Sequence, residues 1–183
     1  MLYTRKGDAG TTKTFGCDQR FSKSSSIADA LGTLDETNSF LGFAKLQGYK
    51  SGFMLGRKTI GDIVNQAQEN LFIVQAEVAG APKKIDASKV KEIETMVDAI
   101  EKELPPIKTF FISGGTELGS LFDFARTLAR RAERRVVGVH EEGLIKISKN
   151  TLAYMNRLSS LLYALARLAN HRNGIAETAP DYK

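Results

Sequence analysis

"FDFARTLARRAERRVVG", residues 122–138, is the stretch on which the reading of this chain turns. Arg126, Arg130, Arg131, Arg134 and Arg135 fall within ten positions, and alanine, leucine and valine fill most of the gaps. At about 100° per residue, Leu121, Ala125, Leu128, Ala132, Val136 and Val139 align as a narrow apolar stripe, so the segment predicts a helix with that stripe on a core. Arg126, Arg130 and Arg134 then lie on roughly the opposite side, Arg131 and Arg135 on a flank, and Glu133 beside Arg126 and Arg130. A solvated basic face is one reading of such a run. Two features favour an anionic ligand instead. Every cation is arginine, whose planar fork grips carboxylate or phosphate oxygens bidentately. Only one acid, Glu133, accompanies the five, so most lack an intrahelical partner and repel one another.

Outward from this helix, apolar residues recur at spacings of three and four, the helical period. A first helix is predicted over about 26–46 with Ile27, Leu31, Leu34 and Leu41 on one stripe, and a second over about 60–79. A third runs from about Ser88 to Leu104, where Pro105 stops it. The arginine helix is the fourth, about 117–141, and a fifth covers about 148–173. Connections are short apart from 48–56 and 80–87, which predicts antiparallel neighbours and an all-α five-helix bundle. Only "TFFIS", 109–113, reads as extended. One domain is expected over 1–183, with 1–25 as loop, 26–173 as bundle and 174–183 as tail; loop and tail lack an apolar period and gain order only against something else.

Composition narrows the function classes. Of 183 residues, 42% are hydrophobic and 26% charged, the mix of an ordinary globular protein. No apolar run reaches the roughly 20 residues of a membrane span and the N-terminus lacks a signal-peptide core, so a cytoplasmic protein is expected. A single cysteine, Cys17, excludes an internal disulfide and any multi-cysteine metal site. Two histidines, His140 and His171, make histidine-based zinc or triad chemistry a poor fit. The net charge of +5 points to an anionic partner: nucleic acid, a membrane surface or a phosphorylated small molecule.

Two further features bear on that choice. The last helix, "TLAYMNRLSSLLYALARLAN" at 151–170, is apolar nearly all round and is expected to be buried. Asn156, Ser160, Tyr163 and Arg167 nevertheless align on it as one polar stripe, which is either a seam between subunits or a ligand site. At the start, "YTRKGDAGTT" (3–12) sets Gly7, Asp8 and Gly10 among hydroxyl and basic residues, a composition able to turn sharply and offer N–H donors to an anion, although it is not a P-loop. "SGGT", 113–116, precedes the fourth helix with Thr116 as a candidate N-cap.

Taken together, "YTRKGDAGTT", "LGTLDETNSFLG" (31–42), "FFISGGTELGSLFDFARTLARRAERRV" (110–136) and "YMNRLSSLLYALARLAN" (154–170) resemble the ATP:corrinoid adenosyltransferases of the PduO type, which make adenosylcobalamin from a reduced corrinoid. The resemblance implies a helical bundle assembled as a homotrimer with nucleotide at the subunit interfaces. By position it implies that Thr4, Arg5, Lys6, Gly7, Asp8, Gly10, Thr11 and Thr12 wrap ATP and that Lys23 contacts phosphate. It assigns Arg130, Arg131, Glu133 and Arg134 to the phosphate and Mg²⁺ region, with Mg²⁺ carried on the phosphates near Glu133, and Asn156 to the nucleotide. Arg126 would pair with Asp35 across the interface. Phe110 would pack under the corrin and keep a lower axial ligand off cobalt.

The implied reaction is attack of Co(I) on the 5′ carbon of ATP with loss of triphosphate. Such a step needs little acid–base catalysis, which suits a histidine-poor sequence. A reductase or a corrinoid-dependent acceptor enzyme is an implied partner, and neither nucleic acid nor a membrane is expected to bind. Ser113, Ser160 and Leu31 depart from the family pattern. Two rival readings remain: a trimeric ATP-binding regulator without transferase activity, and a basic helical protein that binds nucleic acid.

Overall fold

The structure is a computed structural model and describes residues 3–14 and 20–182. The five intervals free of strong breakers form α1 (Ser26–Lys50), α2 (Ile60–Val78), α3 (Ala87–Glu101), α4 (Glu117–Glu141) and α5 (Lys149–Arg172). Ser25, Thr59, Thr116 and Ser148 each cap the helix that follows, their hydroxyls accepting backbone N–H groups otherwise left without partners. At α2 the cap is reciprocal: the Asp62 N–H donates to Thr59 Oγ1 at 3.0 Å and the Thr59 N–H to Asp62 Oδ2 at 3.0 Å.

Boundaries shift at two helices. α1 continues past Leu46 to Lys50, and α3 ends at Glu101 although Leu104 stays buried in the turns that follow. Extended backbone also lies elsewhere than expected. Residues 109–113 have no strand partner; instead β1 (Thr11–Thr12) pairs with β2 (Phe21–Ser22), and β3 (Met54–Leu55) with β4 (Lys58–Thr59), as two antiparallel ribbons. Strands of two residues leave no alternation to read. Cys17 lies outside the described residues, as does Lys183.

Helix α4 packs between α1 and α5, both antiparallel to it. On the α1 side, Ser26 Oγ donates to Glu142 Oε2 at 2.5 Å, Arg135 pairs with Asp29 at 2.8 Å, Arg131 pairs with Glu36, and Gln47 Nε2 donates to Glu117 Oε1 at 2.9 Å. On the α5 side, Asn156 meets Glu133, Tyr163 meets Arg126, and Asn170 meets Thr116. Helix α5 also packs on α3, α2 on α1, and polar side chains such as Gln66 and Glu92 (2.6 Å) join α2 to α3. α5 is accordingly central: Tyr154, Met155, Leu158, Leu161, Leu165 and Leu168 are all buried. Among the described residues no helix is long and apolar enough to cross a membrane.

One buried charge ties the bundle together. Glu77 of α2, 3% exposed, accepts from the Ser148 N–H at 2.7 Å, Ser148 Oγ at 3.3 Å and Thr151 Oγ1 at 2.5 Å. Its carboxylate therefore sits at the positive N-terminus of α5 and satisfies donors there. Glu77→Ala is expected to lower stability by roughly 2–4 kcal/mol, since the donors of the α5 cap are left buried without an acceptor. The shift in urea midpoint measures this; an unchanged midpoint would mean that the contact contributes nothing.

Candidate active site at the crossing of α4 and α5

The antiparallel crossing brings two stripes of similar period face to face. Arg126, Arg130 and Arg134 on α4 recur every four residues, and Asn156, Ser160 and Tyr163 on α5 every three or four, so they meet along several turns. Beside this seam lie two cavities. One, about 590 Å³, is walled by Arg126, Arg130, Ser160 and Tyr163 and by residues 107–113, including Phe110 and Phe111. The other, about 310 Å³, is walled by Arg130, Glu133, Arg134, Val137 and Asn156. Arg130 belongs to both walls, and its guanidinium has no partner among the described residues.

The five arginines thus divide between two flanks rather than forming one face turned from the core. Arg131 and Arg135 reach across to Glu36 and Asp29 on α1, so the expectation that most lack a partner holds within the helix but not across helices. Arg126 sits over the Tyr163 ring, 5.8 Å from its centroid, with a buried Nε that finds no hydrogen-bond acceptor. Burial pushes the Tyr163 hydroxyl above its ordinary range. In the smaller cavity, Asn156 donates from Nδ2 to Glu133 Oε1 at 2.9 Å and accepts from Arg157 at 2.7 Å, which fixes its amide. Arg134 donates to the Arg130 carbonyl at 3.3 Å. Among the described residues no three His, Cys, Asp or Glu side chains cluster as a cation site.

The aromatic wall is held by its C-terminal end. Gly114 and Gly115 adopt φ of 115° and 116°, a region open to glycine, and a Cβ on Gly115 would stand 2.7 Å from Asn170 Oδ1. That oxygen accepts from the Thr116 N–H and Oγ1, both at 2.9 Å, while Asn170 Nδ2 donates to the Gly114 carbonyl at 2.7 Å. The Gly114 N–H donates to Asp123 Oδ2 at 2.8 Å. Beyond these anchors Phe110 stands 80% exposed at the cavity rim.

The N-terminal loop is ordered by Arg20, which donates to Thr11 Oγ1 at 2.9 Å, to the Thr11 carbonyl at 2.8 Å and to the Lys6 carbonyl. Gly10, with φ of 74°, turns the chain so that its carbonyl accepts the Lys23 N–H at 2.9 Å. The Lys23 ammonium lies over Gly7, where a Cβ would come within 3.1 Å of Nζ. Gly7 and Lys23 are thereby brought together, and Thr4, Arg5, Lys6, Asp8 and Lys23 are exposed. No hydrogen bond or ion pair joins residues 3–12 to α4 or α5 among the described residues. The start of α1, to which this loop leads, lies beside Glu142 at the far end of α4 from Thr116.

Residues 2–169 match the family model described as cobalamin adenosyltransferase. The chain belongs to that family. It is 36% identical over 183 residues to the corrinoid adenosyltransferase of Bacillus subtilis, covering 96% of this chain and 90% of that one. It is 37% identical over 177 residues to the corrinoid adenosyltransferase PduO of Citrobacter freundii, of which it spans 50% of the length. A variant PduO-type ATP:corrinoid adenosyltransferase from Lactobacillus reuteri, solved in complex with cobalamin and ATP, superposes with a TM-score of 0.87 at 28% identity, over 100% of this chain and 97% of that one. Another variant, complexed with ATP, gives 0.85 at 27% identity over 98% and 100%.

Within this adenosyltransferase framework the sequence missed three supports. Asn170 continues the polar stripe of α5 one step beyond Arg167, so the period could have revealed it. Arg20 and Asp123 gave no sign, because their partners are backbone groups of irregular segments. Asp123 is half-buried; burial raises its carboxyl above the ordinary value, while the Gly114 N–H and Arg126 pull it down and Glu177 pushes it further up. Folding therefore favours its protonated form, so its contribution to stability is full below the ordinary carboxylate range and fades as pH rises through the elevated value. Asp123→Asn, whose amide oxygen still accepts the Gly114 N–H, is expected to flatten this dependence. Thermal midpoints from pH 4 to 7 should fall less in the variant, and parallel profiles would refute the assignment.

Proposed function

We infer that the chain transfers the 5′-deoxyadenosyl group of ATP to the cobalt of a reduced corrinoid, releasing triphosphate. The observation that carries this beyond family membership is the Arg130 guanidinium, without a partner among the described residues and shared by a polar cavity and an aromatic-rimmed one. Two substrates of different chemistry must meet in this reaction, one a compact polyanion and one a large macrocycle with a broad ring face. Co(I) supplies an electron pair to C5′, the C5′–O5′ bond breaks, its electron pair leaves with the triphosphate, and cobalt ends formally as Co(III). No proton need move. Charge gathers on the leaving oxygens, and Arg130 and Arg134 are available to stabilise it.

In this reading the loop from Thr4 to Thr12 wraps ATP, with Arg5, Lys6, Gly7, Asp8, Gly10 and Thr11 along it, and Lys23 joins the phosphate contacts. Asn156 holds the nucleotide. Arg131, engaged by Glu36, supports the cationic wall from behind. Mg²⁺ would be borne by the phosphates beside Glu133, with water completing its shell, as suits a cation that rarely uses an all-protein cage; it would supply further charge neutralisation. Phe110, rigid and apolar at the rim, would cover one face of the corrin and keep a fifth ligand from cobalt, easing its reduction. A cellular reductase supplies the electron.

The loop and the arginines lie apart in one chain, which supports a homotrimer whose sites are completed by a neighbouring copy. Asp35 is exposed on α1 without a partner among the described residues, and the Arg126 guanidinium forms no ion pair among them. These two are complementary, and the adjoining face carries exposed Phe43 and Phe124 around Phe40.

Incubation with ATP, Mg²⁺ and chemically reduced cob(I)alamin is expected to give the absorbance change of cobalt–carbon bond formation; no change under strong reduction would defeat the reading. Arg130→Ala should lower kcat by roughly 100- to 1,000-fold, the usual cost of removing one preorganised donor, with the circular dichroism spectrum retained. Asp35→Arg or Arg126→Asp alone should weaken trimer formation in sedimentation, and the double exchange should restore part of it. No recovery in the double variant would argue against that pairing.

A further inference from the structure

The segment that carries Phe110 has no regular structure, so something outside it must set its course. Residues 107–110 are exposed. The segment is held on both sides of them, and one side chain reaches both limbs. Arg167 of α5, 5% exposed, donates from Nη2 to the Pro105 carbonyl at 3.0 Å and lies over the Phe111 ring, 5.5 Å from its centroid. A buried guanidinium needs a counter-charge. It comes from the tail: Glu177 accepts from Nε at 2.5 Å and from Nη2 at 2.7 Å, a bidentate pair. The next residue of the tail, Thr178, accepts the Ile112 N–H at 2.8 Å. Thus residues 175–178 lie along residues 111–114 and close a cavity of about 270 Å³ against Asp123 and Tyr163.

We propose that Glu177, acting through Arg167, is a positioning residue for the corrinoid half of the site: the C-terminal strap sets the arc 105–112 and with it the stance of Phe110. The inference rests on the reading of function above. Among the described residues no hydrogen bond or ion pair joins Arg130, Glu133, Arg134 or Asn156 to residues 175–178, and none of the four lines the cavity that the strap closes, so the nucleotide half is expected to respond to the strap less than the corrinoid half.

Arg167 itself is too buried for a clean substitution, so the test uses Glu177→Gln, Glu177→Ala and a chain ending at Asn173, each checked for an unchanged helical spectrum. KM for cob(I)alamin should rise about tenfold in Glu177→Ala and in the shortened chain, and less in Glu177→Gln, which keeps one acceptor, while KM for ATP stays within about twofold. Amide exchange at Ile112 should quicken in the same order. Corrinoid KM unchanged in all three, or both KM values rising together, would overturn the proposal. Failure of the wild-type chain to transfer defeats the function reading, whereas unaltered exchange at Ile112 in the variants defeats the strap alone.

Discussion

The antiparallel crossing of α4 on α5 is the constraint on which the rest of the molecule depends. Small residues on the buried side of α4, among them Ala125, Ala129 and Ala132, let the helices approach, and the buried leucines of α5 hold them there. Once that register is set, Glu133 must face Asn156, Arg126 must lie over Tyr163, and Asn170 must meet the Gly-Gly turn. A one-turn slip along either helix would separate every one of these pairs. The other flank of α4 strengthens the register rather than the fold energy. Arg131–Glu36 and Arg135–Asp29 keep about half their side-chain surface in solvent, so each pair contributes on the order of 0–1 kcal/mol. They matter because they fix which way α4 is rotated, and that rotation decides which arginines are left for a ligand.

Much of this was legible in the sequence because helices write their faces at a fixed period. The five helices, the burial of α5 and its polar stripe all follow from spacing, and Thr116 and Ser148 marked two helix starts. The division of the arginines was not legible, because a helical wheel shows where residues lie around one axis but not how many neighbours that axis has. With a single core neighbour, Arg126, Arg130 and Arg134 would point to solvent; with α1 and α5 on either side, the same positions overlook a cleft. The ordering of 105–116 and of the tail was hidden for a different reason. Both are held by backbone groups, Arg167, Asn170, Asp123 and Glu177, and pairings between irregular segments and helices leave no period behind them.

Neither of the two cavity walls carries a histidine. His140 sits at the end of α4, where its Nδ1 accepts the Ile147 N–H at 3.2 Å and closes the turn into α5. The remaining polar groups near the cavities are donors or fixed amides, with Glu133 the acid in the smaller cavity and Asp123 bound to backbone beyond the larger one. Such a set stabilises charge and orients ligands; it is ill suited to moving protons at neutral pH.

The inferred reaction needs that separation of tasks. Displacement at carbon requires nucleophile, carbon and leaving oxygen in line, so the two substrates must approach from opposite sides of one point. A wall common to two cavities supplies such a point, and Arg130 is the side chain common to both walls. On the anionic side, affinity comes from arginines whose forks are preorganised by the helix. On the apolar side, no comparable charge is available, and orientation must come from shape, which requires a rim whose course is fixed. An irregular segment left to itself would wander; one tied at Pro105, Ile112 and Gly114 cannot do so without breaking several hydrogen bonds at once. The cationic half of the site is therefore set by the helix crossing, and the aromatic half by the bonds that fasten a loop to it.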